Sequence, residues 1–369
     1  MRATSFFSSF LLSQLAAAAV PHLAAPAVPP PATYVIPKGR VEGTTAADSV
    51  VGVTAFDGPH ISVNNGSAYQ WWYFDAVSPD ADTIVVAQFY PGWLPDASAI
   101  LLNVVYPNGT LIDQKIPAGA LQLSTTGDGS QGYVDNGAMT WFGASDLSAY
   151  HLTLDLPEVG ISGTITMRSK APAHVAGGLN VPGASFDYAP FLAWGNPVPD
   201  ADATVDLVVN GTSLSFTGTG YHDQNWGAAT YGNNLNQWYW GHSSVGIYSL
   251  VFFYHLDEEL NVTSSGYLAR NGEPIISGFS NVEVTPQGPG TSVPLVNGAT
   301  IEGWEVRIND TQHGEFLFNI ENTVLTSRDR IYSRYIGRTT GGPVGGGNQT
   351  GVAVVELMKN RLMVLQGLQ

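Results

Sequence analysis

Apolar residues along this chain fall in short runs and alternations, not in helical stripes. Such segments occur at 83–89, 100–106, 150–156, 161–168, 204–209 and 213–220. Others follow at 248–255, 262–269, 302–308, 316–320 and 352–358. They are rich in β-branched and aromatic residues and bounded by Gly, Asn, Asp or Pro, which is the signature of strands. Asn-Gly pairs beginning at Asn65, Asn108, Asn136, Asn210, Asn271 and Asn297 are hairpin signals, because Gly supplies the positive φ of the primed turns. The pattern predicts an all-β protein of sandwich or barrel type. At 369 residues the chain exceeds one ordinary sandwich, so two β domains are expected, at 45–230 and 231–369. The irregular stretch 228–236 marks the boundary. The Pro-, Gly- and Ala-rich stretch 171–202 reads as a long loop of the kind that covers a site, and 341–347 reads as a flexible loop.

The first 44 residues stand apart. Arg2 precedes a mostly apolar run, 6–20, that ends in the small residues Ala16 to Ala19. That order is the secretory signal peptide, with cleavage expected near Ala19. A Pro-rich segment, 20–44, follows it. The apolar run is short for a membrane span, so no stable membrane insertion is expected and the mature protein should be extracellular. Six Asn-x-Ser/Thr sequons, at Asn65, Asn108, Asn210, Asn261, Asn309 and Asn348, are then candidate glycosylation sites. The chain has no cysteine, which excludes thiol nucleophiles and zinc–thiolate sites. A formal charge of −16 argues against nucleic acid as a partner. Charged residues are only 12% and aromatics reach 11%, a balance suited to buried or cavity-lining aromatic surface.

Three segments carry candidate chemistry: Tyr69-Gln70-Trp71-Trp72-Tyr73-Phe74-Asp75, Gly220-Tyr221-His222-Asp223-Gln224-Asn225-Trp226-Gly227, and Gln237-Trp238-Tyr239-Trp240-Gly241-His242. Alternate strand residues share a face. Trp238, Trp240 and His242 therefore point together, and so do Trp71, Tyr73 and Asp75. Each aromatic alone suits a sandwich core. The recurrence of Gln70, Asp75, Asp223, Asn225 and His242 among them suits a ligand wall with polar handles. The 221–227 segment can donate hydrogen bonds to a substrate carbonyl, or hold a carboxylic acid whose pKa an apolar site raises. Asp223 and Asn225 can equally cap a turn. Gly241 to Gly246 lacks the fifth-position Gly of a nucleophile elbow. The histidines show no metal-like pair spacing, no phosphate loop or dinucleotide fingerprint is present, and no metal is expected. From composition alone, a sugar-binding aromatic strip is the main competitor.

The Trp-Trp-Tyr-Phe-Asp, Gly-Tyr-x-Asp-x-Asn-Trp-Gly and Trp-Tyr-Trp-Gly-His segments resemble the fungal Diels–Alderases. These are related to the carotenoid hydratases (hydroxyneurosporene synthases) and to AttH-like, lipocalin-like proteins. The resemblance covers about residues 45 to 369 and is most specific at Asp223 to Gly227. It implies an N-terminal β-sandwich packed on a C-terminal lipocalin-like β-barrel, a pocket between them and no cofactor. It implies Trp71, Trp72, Tyr73, Asp75, Trp226, Trp238 and Trp240 as substrate-binding residues. Tyr221, His222, Asn225, Tyr239 and His242 become catalytic donors, with protonated Asp223 among them. Gln224 stands where the hydratase branch has His, and decalin-forming relatives lack an obvious signal peptide. The expectation is a secreted pericyclase of fungal secondary metabolism. It would join a polyketide-derived o-quinone methide to a terpene alkene such as humulene by hetero-Diels–Alder addition. A carrier of hydrophobic metabolites, an alkene hydratase and a decalin-forming intramolecular Diels–Alderase are the alternatives.

Overall fold

The computed structural model describes residues 29–328 and 331–360; the expected signal peptide lies outside the described residues. The protein is nearly all β, as its periodicity demands. A 15-stranded sheet takes every strand up to Gly227, and a nine-stranded sheet takes every strand from Gln237 onward. All six Asn-Gly glycines sit at positive φ, and Asn210 and Asn271 do so as well. Those two pairs therefore turn hairpins with both central residues in the left-handed region, the geometry that matches strand twist.

The larger sheet folds over on itself into a sandwich. Its core holds Trp72, Phe74, Phe89, Trp141 and Trp226 together with aliphatic residues from both layers. The smaller sheet curls into a barrel whose interior is filled by Tyr239, Phe252, Trp304 and Phe318. Asn281 helps close it, its side chain bonding both the N–H and the carbonyl of Gly266, at 2.7 and 2.9 Å. A third cluster, with Trp71, Tyr73, Trp194, Tyr221, Trp238, Trp240 and Phe253, lies where an outer face of the sandwich meets an outer face of the barrel. This seam also carries polar ties. Asn103 Nδ2 donates to the Thr326 carbonyl (2.8 Å), Tyr188 O–H to that of Thr263 (2.7 Å), and Ser249 O–H to Asp200 (2.6 Å).

Three segments differ from expectation, one of them 341–347, whose first three residues end the strand Tyr332–Pro343. The Pro-rich N-terminal segment already contains a strand, Ala32–Ile36, paired antiparallel with Leu121–Thr126. The stretch 171–202 is not one loop: its second half is the start of an 18-residue strand, Leu192–Val209. Pro197 and Pro199 hide that strand from a reading by propensity. They are accommodated because the ladder to Thr212–Gly227 shifts register between Gly195 and Val198 and again between Val198 and Ala201, and irregularities are where a sheet tolerates proline. The first half of the stretch packs into the seam, where Pro172 accepts from Tyr267 O–H at 3.0 Å.

Candidate active site

The first two aromatic–polar segments are neighbours in one ladder. The strand Tyr69–Val77 runs antiparallel to Thr212–Gly227 with Asp75 opposite Tyr221, Tyr73 opposite Asp223 and Trp71 opposite Asn225. These six side chains share the face toward the barrel. The intervening residues face the sandwich core: His222 pairs with Phe74, Gln224 with Trp72 and Trp226 with Gln70. On the barrel, Trp238, Trp240 and His242 come from the strand Gln237–Val245 and meet them across the seam. Two of these strands carry a glycine that its own sheet requires. A Cβ on Gly241 would lie 2.5 Å from the Phe252 ring and 2.6 Å from the Val354 carbonyl, and one on Gly227 would lie 2.1 Å from the Phe191 carbonyl.

Between the two faces is a cavity of about 350 Å³, within the range of small-molecule sites. Its aromatic wall is formed by Trp71, Tyr90, Tyr231, Trp238, Trp240 and Phe253. Tyr231 comes from the short 3₁₀ turn Tyr231–Asn234 between the two sheets, so this connector lines the cavity, whereas no residue of 171–202 does. Trp93, Asp113 and Lys115 line it too, and Lys115 Nζ stands 5.8 Å over the Trp93 ring.

Two polar poles interrupt the wall. At one, Asp223 Oδ2 accepts hydrogen bonds from Trp194 Nε1 and Tyr221 O–H, each 2.9 Å. Burial pushes its carboxyl up to about 7, against the smaller opposing effect of those two bonds. Both bonds land on one oxygen, so a proton on the other makes Asp223 a neutral acid directed at the cavity it lines, beside Asn225. Behind it, the Tyr221 ring stacks on His242 (4.3 Å between centroids). His242 Nε2 meets Asp75 Oδ2 at 2.8 Å, and Tyr73 O–H donates to the same oxygen at 2.8 Å. At the second pole Arg334 Nε donates to Glu356 Oε1 at 2.8 Å, and Tyr332 O–H donates to that oxygen as well. Among the described residues no group of His, Asp and Glu is arranged to hold a metal ion.

Trp71, Tyr73, Asp223, Asn225, Trp238 and Trp240 thus line one chamber. Tyr221, Asp75 and His242 stand directly behind them. Trp72, His222 and Trp226, expected at the pocket, do not reach it: strand alternation turns them into the sandwich. His222 Nε2 lies 2.9 Å from Asp57 Oδ1 and its Nδ1 2.8 Å from the Tyr73 carbonyl. Gln224 donates to Asp57 too, as do Ser130 and Tyr150. Trp226 stacks on His60 at 3.9 Å, and Trp72 Nε1 donates to the Asp57 carbonyl at 3.3 Å. These residues anchor the strand whose opposite face carries Asp223. Tyr239, expected as a donor, points into the barrel and donates to Gln237 at 2.8 Å. Sequence reasoning missed Arg334, Glu356, Tyr332 and Tyr231. A single Glu inside the apolar run Val352-Ala353-Val354-Val355-Glu356-Leu357-Met358 was the available signal.

Comparison with known proteins gives a consistent answer. The family model described as Diels-Alderase-like matches residues 38–360. A quinolone epoxide rearrangement protein of Penicillium thymicola is 31% identical over 316 residues, 81% of this chain and 86% of that protein. A Diels-Alderase of Aspergillus flavipes is 24% identical over 338 residues, 84% of this chain and 81% of that protein. The crystal structure of CghA with Sch210972 superposes with a TM-score of 0.76 at 18% identity, covering 89% of this chain and 98% of CghA.

Proposed function

The chain belongs to the Diels-Alderase-like family, and from that premise we propose that its cavity performs an intermolecular hetero-Diels–Alder addition without a cofactor. The reactants are a polyketide-derived o-quinone methide and a terpene alkene such as humulene. The observation that carries this reading is the chamber itself, an aromatic wall with Asp223 and Asn225 set into it. A cycloaddition needs no nucleophile and no net proton transfer. It needs two unsaturated partners in one orientation away from water, and such orientation is worth up to about 7–11 kcal/mol. The indoles of Trp71, Trp238 and Trp240 hold the alkene. A hydrogen bond from neutral Asp223 or from Asn225 to the heterodiene carbonyl lowers its acceptor orbital and strengthens as charge develops on that oxygen.

The test is the stereochemical ratio of the adduct formed from an o-quinone methide generated in situ and humulene, with and without purified protein. The reading predicts one adduct in excess and a rate above that in buffer. An unchanged ratio at the buffer rate, with both compounds bound, would identify a hydrophobic carrier instead. Oxygen from labelled water in the product would identify a hydratase.

A second reading has its own support. Asp223, held near pKa 7 by burial, is suited to protonate an epoxide oxygen as its C–O bond opens. The Penicillium thymicola relative is named for a quinolone epoxide rearrangement. Asp223→Asn separates the two. Epoxide opening should fall at least about a hundredfold with loss of the acid, and an orientation-driven cycloaddition by less than about tenfold. Secretion and glycosylation are part of the proposal, supported by the exposure of Asn108, Asn210, Asn261, Asn309 and Asn348.

A further inference from the structure

Of the described residues that line the chamber, only Trp93, Asp113 and Lys115 are exposed. Its mouth therefore lies between the loop 91–97 and the edge strand Leu111–Ala118. Trp93 occupies that mouth. Its ring extends the aromatic wall outward, meeting Tyr90 edge-on at 4.8 Å between centroids, and Tyr90 in turn lies 5.5 Å from Trp71. Lys115 Nζ stands over the Trp93 ring from the edge strand. Trp93 is 36% exposed, so burial alone does not hold it, and a loop tip of this kind moves readily unless its backbone is tied down.

The ties come from the segment read as Pro-rich. Arg40 Nε donates to the Gly92 carbonyl at 3.2 Å and Nη2 to the Trp93 carbonyl at 3.1 Å. These two carbonyls lie on either side of the Trp93 Cα, so one planar guanidinium fixes the backbone from which the indole projects. The Arg40 amide donates to the Pro95 carbonyl at 2.9 Å. A Cβ on Gly39 would lie 2.7 Å from that same oxygen, so the close approach of this segment to the loop needs glycine there. Asn64 Nδ2 adds a bond to the Pro91 carbonyl at 2.5 Å. Arg40 is itself exposed, so what it contributes is the placement of the loop and not a share of the core.

We propose that Arg40 is a positioning residue that holds Trp93 across the mouth, so that ligands enter and leave the chamber only as the indole swings away. Lys115 is the latch on the far side, a cation on the ring face that an outward swing gives up. The inference goes beyond the chemistry assigned to the chamber. It concerns passage, and it holds whether the chamber joins, rearranges or carries what it takes. A gate has a kinetic signature: weakening its closed state raises entry and exit rates by the same factor and leaves the dissociation constant alone. A residue that touches the ligand changes affinity instead, and one that only supports the fold changes melting.

The probe is 1-aminoanthracene, a neutral flat fluorophore that brightens in apolar sites, mixed with the full-length protein in a stopped-flow instrument. Arg40→Met keeps most of the stem and removes the donors. It should raise the association and dissociation rate constants together by at least about fivefold, with the dissociation constant within about twofold of wild type. Trp93→Ala should also speed both steps. Arg40→Met added to Trp93→Ala should then change them by less than about twofold, because Arg40 acts through the ring. The inference is overturned if the wild type admits no probe, if Arg40→Met leaves the rates unchanged or moves only one of them, or if its effect persists in full on Trp93→Ala. Should Arg40→Met not melt natively, Lys115→Met decides: it frees the ring from the other side and must speed entry and exit together, and unchanged rates overturn the inference. No turnover is read, so failure of the proposed cycloaddition and failure of the gate are separate results.

Discussion

Trp238 Nε1 is buried at the cavity wall and has no hydrogen-bond partner among the described residues. A buried donor left unpaired costs about 1–3 kcal/mol. Trp238→Phe should leave stability unchanged or raise it, read by urea denaturation, while weakening substrate binding by more than the loss of ring area explains. Asp223 makes a second residue-scale prediction. Its folded-state pKa near 7 lies above the ordinary 3.8, so folding takes up a proton between those values. The stability this contributes is fully present below about pH 4 and is lost as pH rises through 7, a change of a few kcal/mol. Denaturation curves across that window should slope less steeply for Asp223→Asn than for the wild type. Equal slopes would show that Asp223 is ionised throughout.

At the scale of elements, the strand Thr212–Gly227 explains why its motif mixes so many polar types. One face supplies Tyr221, Asp223 and Asn225 to the chamber, while the other binds His222 and Gln224 to Asp57 and stacks Trp226 on His60. Alternation predicted which residues point together, but no single-strand argument says which face is inward, because both faces are buried here and both are aromatic. That is why Trp72, His222, Trp226 and Tyr239 were legible as important and illegible as structural. Arg334 and Glu356 were missed for a different reason: the pairing that joins them is settled only when Tyr332–Pro343 and Gln349–Lys359 form a ladder. Every segment read as a strand from its apolar pattern falls on one, but Leu111–Ala118, Leu121–Thr126, Gly129–Val134, Met139–Gly143, Glu273–Phe279, Val282–Gln287 and Tyr332–Pro343 carry too many polar residues or glycines for that pattern to mark them. The first part of Leu192–Val209 was hidden by its prolines, and Ala32–Ile36, although β-branched and aromatic, lay in a segment read as Pro-rich. Gly241 ties strand geometry to packing. Gly241→Ala would drive a methyl against the Phe252 ring and the Val354 carbonyl. It should cost about 1–3 kcal/mol by overpacking, measurable as a lower denaturation midpoint at unchanged slope.

For the whole molecule, the chamber belongs to neither sheet alone. The barrel interior, where a lipocalin-like fold would carry a ligand, is filled by Tyr239, Phe252, Trp304 and Phe318, and the sandwich has its own solid core. The space lies at the seam, with walls from both. The proposed export makes a prediction for the outer surface: protein made in a eukaryotic secretory host should lose mass on enzymatic deglycosylation. Asn65 should be the least occupied sequon, since its side chain already bonds the Gly43 carbonyl and the Ser67 and Ala68 amides. The most direct test of the account is diffraction from crystals grown with a cycloadduct. Density should appear between Trp71, Trp238 and Trp240, with the adduct oxygen toward Asp223 or Asn225. Adduct found inside the barrel beside Tyr239 and Trp304, with the seam empty, would contradict it.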